Sequence, residues 1–313
     1  MAYAFRTVLL WRTVRISCNQ SLLSLHLAFL HLLSSCYTEF SAVSDKKIVF
    51  ITGLHKSGTS LLHRCIKDHP EISGISGTDA PKDEGQHLQA VYPPAAKYGG
   101  PGLFGLDRGS YRDETSPLVT EANRQQLLRE WGKHWDLDKP VLVEKSPPHL
   151  TQTRFLQALF PNAYFVVIQR HPVANAMATR KIGNLFMRWI YQYPDTLLAD
   201  VLLNKLGPLR KPPTPFVLEN WLRCYERYEH DRAHLKQEMQ VSFTSFITSP
   251  DETLADIFRY LGVDPIPFPE TPRPGVNEKY LDKWQNLWSP YREWMIQRFG
   301  PRAERFGYNL REI

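Results

Sequence analysis

The run Ile48-Val49-Phe50-Ile51-Thr52 stops at Gly53, and a helical pattern begins at Gly58 and runs to Asp68. β-Branched and aromatic residues without polar alternation predict a strand covered on both faces, as strands of parallel sheets are. The same order of strand, loop and helix recurs. Val141-Leu142-Val143 leads through a polar turn to a helix over 149–160, and the run 164–168 leads to a helix opening at Pro172. Repeated β-loop-α units predict an α/β fold with a central parallel sheet flanked by helices.

Other segments fit around this frame. Residues 70–115 are rich in Gly, Pro, Asp and Tyr and read as a long irregular excursion, of the kind that carries function. A helix is expected over 216–237, with Val217, Trp221, Cys224, Tyr225 and Tyr228 forming its core stripe. A strand over 239–243 and a helix from Pro250 to Gly262 follow, then a stiff extended segment containing Pro265, Pro267, Pro269, Pro272 and Pro274. Trp284 and Trp288 stand at helical spacing and read as core residues.

With 42% hydrophobic residues the chain has enough apolar surface for a sizeable core, and one domain is expected over 46–313. Residues 1–45 read as an N-terminal signal-anchor or targeting segment: Arg6, Arg12 and Arg15 precede any acidic residue, and a mostly apolar stretch occupies 22–37. That stretch is shorter than the roughly 20 residues of a usual membrane span. A single-pass anchor, with the Golgi as one membrane to consider, stands beside a cleaved secretory signal and an organelle transit peptide. The net charge of +6 is spread along the chain rather than gathered into a tail, which does not indicate a nucleic-acid partner. Cys65 and Cys224, the cysteines of the body, lack metal-ligand spacing, so neither a disulfide framework nor a zinc site is expected.

Chemistry is concentrated in Gly53-Leu54-His55-Lys56-Ser57-Gly58-Thr59-Ser60-Leu61-Leu62, after a strand and at the start of a helix. Backbone N–H groups and a helix N-terminus can enclose a phosphate there. Thr59 and Ser60 add hydroxyls and Lys56 adds charge; a glycine-capped turn without a ligand is the plain alternative. Gly53 and Gly58 have the spacing of the G-x-x-x-x-G-K-[ST] nucleotide loop, but Thr59 stands where that motif requires its lysine. An ATP-dependent kinase is therefore the rival reading.

The segment Lys56-Ser57-Gly58-Thr59-Ser60-Leu61-Leu62 resembles the 5′-phosphosulfate loop of the sulfotransferase superfamily, in its tyrosylprotein and carbohydrate branch. The likeness continues through Asp68-His69-Pro70, Glu144-Lys145-Ser146-Pro147, Leu159-Phe160-Pro161-Asn162-Ala163, Val167-Ile168-Gln169-Arg170 and Tyr260-Leu261-Gly262. It implies a three-layer P-loop-like fold and transfer of a sulfuryl group from 3′-phosphoadenosine 5′-phosphosulfate (PAPS) to a hydroxyl on a carbohydrate, a protein tyrosine or a small alcohol, without a metal. The donor would be held by His55 to Leu61 and, at its 3′-phosphate, by Arg170. Asn277, Lys279 and Tyr280 resemble the loop that closes over the nucleotide. Lys56 and Lys145 would lie at the transferring group. Glu84 is the candidate base, with Asp83 and His87 as alternatives. The chain departs from the usual R-D-x-x-x-x-x-x-S pattern: His171 follows Arg170, and Ala178 stands at the serine position. Thr179 or Asn175 is expected to replace that hydroxyl, and Arg180 or Lys181 to add charge. The departure also motivates a third reading, a membrane-tethered protein that binds the donor without turnover.

Overall fold

The computed structural model describes residues 46–179, 214–267 and 275–312. The expected N-terminal segment with its 22–37 tether, Arg180, Lys181, Pro269, Pro272 and Pro274 lie outside the described residues. Five strands, β1 (Lys47–Thr52), β2 (Ile72–Gly74), β3 (Val141–Lys145), β4 (Tyr164–Gln169) and β5 (Glu238–Ser242), form one sheet. Their order is β2-β3-β1-β4-β5, and every pairing is parallel. β1 is central and β3 is buried along its whole length, which explains their unbroken apolar runs. The short edge strand β2 falls within the stretch expected to be irregular.

Nine α-helices are described: α1 (Thr59–Lys67), α2 (Glu121–Gly132), α3 (Thr153–Leu159), α4 (Pro172–Ala178), α5 (Thr214–Arg232), α6 (Phe243–Thr248), α7 (Pro250–Leu261), α8 (Glu278–Gln285) and α9 (Ser289–Glu304). On one face, Leu62, Cys65 and Ile66 of α1 and Leu254, Ile257, Phe258 and Leu261 of α7 pack with Val49, Ile51, Val143 and Ile168. Helix α3 begins later than expected because Pro147–Thr151 form a 3-10 turn and Gln152, at φ −145°, breaks the helix before it. The expected stripe of α5 is buried as read, but the helix ends at Arg232. Trp284 is core, whereas Trp288 is 53% exposed, which corrects its expected burial. It is the N-cap of α9, with extended backbone between two helices, so it belongs to neither helical face.

Between β2 and α2 the chain runs through five short 3-10 turns, tied down by distant groups. Trp131 Nε1 donates to Gly85 O at 3.0 Å, and Gly105 N donates to Asn220 Oδ1 at 2.8 Å. The excursion is thus fixed against α2 and α5 by contacts that local sequence does not announce.

The register brings Ile51 beside Lys145 and Thr52 beside Val167, so the C-terminal ends of β1, β3 and β4 share one edge. That edge, where strand order runs outward from β1 in both directions, is where open parallel sheets collect ligands.

Two tests follow from the packing. Gly53 has φ +146°, and a Cβ there would meet Ile168 O, a backbone atom, at 2.3 Å. Gly53→Ala is expected to lower unfolding free energy by roughly 3 kcal/mol; an unchanged urea midpoint would contradict this close approach. His63 of α1 is buried and its Nε2 has no hydrogen-bond partner. Burial, helped by Lys145 and Lys67, lowers its pKa to about 3. The unfolded chain therefore takes up this proton first, so the associated stability is present above about pH 6.5 and is lost as pH falls toward 3. Between pH 7 and 5, His63→Leu should lose about 2 kcal/mol less stability than the parent, measured by urea unfolding at both pH values.

Candidate active site

The loop between β1 and α1 is shaped by three groups. Ser57 N donates to Leu54 O at 3.0 Å, which closes the turn. Asn175 of α4 donates through Nδ2 to His55 O at 2.9 Å and to Ser57 Oγ at 3.0 Å. Arg170 donates to Lys56 O at 2.7 Å, holding Lys56 at φ +70° with its side chain exposed. Gly58 caps α1 in the left-handed region at φ +99°, close to Phe243, with no side-chain cap and no acidic residue in the first turn. The first N–H groups of the helix lack intrahelical partners, and the helix dipole favours an anion in front of them. Thr59 is buried beside this end and Ser60 half-buried, while Leu61 packs on the core.

Arg170 follows β4. Among the described residues its acceptors are neutral: Lys56 O, Val276 O at 3.2 Å and Asn277 Oδ1 at 2.8 Å. Its guanidinium lies 4.5 Å from the Phe243 ring centroid and 5.2 Å from that of Tyr280. Burial lowers its pKa to about 10, which still leaves it charged at neutral pH. Lys279 is exposed, its Nζ 4.9 Å from the Tyr280 ring centroid. His171 is the N-cap of α4: Nδ1 accepts from Val173 N, and burial lowers its pKa to about 4, which preserves that lone pair. Thr179 caps the other end, its hydroxyl donating to Asn175 O. Of the two expected substitutes for the missing serine, Asn175 thus supports the loop from below and Thr179 binds its own helix.

The third group comes from the excursion. Lys145 is fully buried at the end of β3, and its Nζ donates to Glu84 Oε1 at 3.2 Å and to Lys82 O at 2.9 Å. Burial lowers its pKa, opposed chiefly by Glu84. The alternative partner, Glu144, lies 2.9 Å from His149 Nδ1 and accepts from Ser146 Oγ. Lys82 and Asp83 both have positive φ, a strained turn that aims Lys82 O at Lys145. Burial disfavours ionised Asp83, but two hydrogen bonds from Thr78 outweigh it and hold its pKa low. His87 is exposed, 3.9 Å from Glu84 Oε2.

His55 links the groups electrostatically. Burial lowers its pKa to about 4; Glu84 opposes this, while Lys145, Lys56 and His87 reinforce it. Its Nδ1 is buried without a hydrogen-bond partner. Sequence reading passed over Gln86, which donates to Glu84 Oε2, and Ser146, which accepts from Gln86 N at 3.0 Å. Gln86 stands only two residues from Glu84, but Ser146 lies 60 residues from Gln86, so no local spacing announces that pair.

The arrangement offers one anion position at the start of α1, a second at Arg170, and a buried carboxylate paired with a lysine beside the loop. Among the described residues no group of His, Cys, Asp or Glu is placed to hold a metal ion, and no helix is long and apolar enough to cross a membrane.

Human protein-tyrosine sulfotransferase 1 is 27% identical over 146 residues, and its mouse counterpart 29% over 146 residues. Each alignment takes in 46% of this chain and 37% of the relative, so the match spans little more than a third of their length. Among solved structures, the sulfotransferase STF1 of Mycobacterium tuberculosis superposes with a TM-score of 0.48 at 19% identity, covering 85% of this chain and 79% of its own. A sulfotransferase of Alicyclobacillus acidocaldarius gives 0.43 at 18%, covering 84% and 96%. Residues 49–267, which contain the loop, Glu84, Lys145 and Arg170, match the sulfotransferase family, and the chain belongs to it.

Proposed function

We propose that this chain, through residues 46–313, transfers a sulfuryl group from PAPS to an acceptor hydroxyl. The observation that carries the reading is the pair of anion positions joined by one contact: Arg170, suited to a 3′-phosphate, grips the carbonyl of Lys56, whose side chain belongs to the loop suited to the 5′-phosphosulfate. In the reaction the acceptor oxygen bonds to sulfur, the bond from sulfur to the phosphate oxygen breaks, and the acceptor proton passes to Glu84. Lys56 stabilises the negative charge on the departing phosphate oxygen. Lys145 holds Glu84 through its hydrogen bond to Oε1 and adds charge near the sulfuryl group. His55 Nδ1 offers a further polar contact to the donor, as do the hydroxyls of Thr59 and Ser60.

A protein tyrosine is the first acceptor to test, given the human and mouse relatives, followed by carbohydrates and small alcohols. The apolar stretch 22–37 would tether the enzyme to a membrane, with the Golgi as the first compartment to inspect. An ATP-dependent kinase is disfavoured by Thr59, and a binding protein without turnover differs only in failing to turn over.

The purified full chain should transfer label from sulfur-labelled PAPS to a member of a pooled acceptor set, unaffected by a chelator and with no phosphoryl transfer from ATP. Lys56→Ala and Glu84→Gln should each lower turnover by about two orders of magnitude with an unchanged far-ultraviolet spectrum. Donor binding without turnover would select the binding protein instead. Arg170→Met should weaken binding of the desulfated product, which bears the 3′-phosphate, by roughly 10- to 100-fold relative to its effect on the same nucleotide lacking that phosphate. Equal losses for both nucleotides would remove Arg170 from the 3′-site.

A further inference from the structure

Gln86 occupies a short 3-10 turn, Gly85–His87, and is almost wholly buried. Each of its polar groups is used. Backbone N donates to Ser146 Oγ at 3.0 Å, backbone O accepts from Gln89 Nε2 at 3.1 Å, side-chain Oε1 accepts from Ala95 N at 2.8 Å, and Nε2 donates to Glu84 Oε2 at 2.5 Å. The backbone N–H of Ala95 fixes the amide's orientation: turned over, Nε2 would face a donor and Oε1 a carboxylate. The turn beneath is held as well, since Trp131 Nε1 donates to Gly85 O and Ser146 is bound to Glu144.

Glu84 therefore has one oxygen on Lys145 and the other on Gln86, and is only 6% exposed. The lysine supplies charge, but a single ammonium does not fix the rotation of a carboxylate. A second donor on the other oxygen does. We infer that Gln86 is a positioning residue for the base, holding the plane of the Glu84 carboxylate, by a hydrogen bond that adds no charge, so that its remaining lone pairs meet the acceptor hydroxyl. This rests on the reading of Glu84 as the general base. The titratable and charged groups facing Glu84 are Lys145 of β3, His87 of the same turn and His55 of the loop after β1. Asp83 beside it is bound to Thr78, and Glu144, which lies against Gly85, is engaged by Ser146 and His149.

The test is the pH dependence of kcat/KM for the full chain with PAPS and its acceptor, alongside donor affinity measured with the desulfated nucleotide. Gln86→Met keeps length and removes the donor. It should move the acid limb of the profile upward by about one pH unit and lower kcat at neutral pH at least several-fold, with donor affinity within about twofold of the parent. Gln86→Glu keeps the acceptor for Ala95 N and sets two carboxylates at hydrogen-bond distance, so they share a proton. Its limb should move further than that of Gln86→Met, and it serves as the second variant should Gln86→Met fail to fold. A uniform loss of rate with the limb unmoved in both variants would assign Gln86 a structural role only and overturn the inference. Glu84→Gln, run in parallel, separates the two claims. If it is inactive while the Gln86 variants leave the limb in place, the positioning role fails alone; if it keeps full turnover, the base assignment fails and takes this inference with it.

Discussion

The site depends on the hydrogen bonding of β1 to β3 on one side and β4 on the other. Those two ladders set Ile51 level with Lys145 and Thr52 level with Val167, so that Arg170, the residue after β4, emerges beside the loop. A shift of one residue in either ladder would turn the affected strand's side chains to the opposite face and carry Lys145 or Arg170 away from Lys56. Burial of β1 prevents such a shift: Val49 and Ile51 face one layer and Phe50 the other, where it meets Trp131, His149, Phe160 and Phe165.

Much of this was legible because its signals are local. A run of apolar residues ending in glycine fixes a strand and turn, and Lys145 and Arg170 are readable as strand-end residues once the strands are recognised. Helix α2 was legible in principle, since Thr120 accepts from Asn123 N and Leu127, Leu128 and Trp131 lie on one buried face. The edge strand β2 has three residues, too few for a period to show. What sequence could not supply are pairings across long separations. Lys145 meets Glu84 61 residues away, Arg170 meets Lys56 O 114 away, and Asn175 reaches Ser57 across 118. Asn175 shows the cost of a one-dimensional reading. Its type and place suggest a ligand contact, and only the fold shows that its Nδ2 donates to His55 O and Ser57 Oγ beneath the loop.

The excursion between β2 and α2 supplies the candidate base from a region with little regular structure, and still holds it firmly. Regular hydrogen bonding is replaced by side chains reaching backbone groups: Trp131 to Gly85, Ser146 to Gln86, Asn220 to Gly105, Thr151 to Ser110. Such a design leaves the segment's exposed face free to vary while its buried face is fixed. It places strain at Lys82 and Asp83 immediately before Glu84, where two consecutive left-handed residues persist only because Thr78 and Lys145 hold them.

The histidine after Arg170 has a consequence for the corner proposed to take the 3′-phosphate. An aspartate there would cap α4 equally well, but would set a formal negative charge next to the guanidinium and compete with any incoming phosphate. An uncharged imidazole does the capping without that competition. The corner that lacks a serine hydroxyl at Ala178 is thereby left more electropositive, and a lost dipole is offset by a repulsion that never arises.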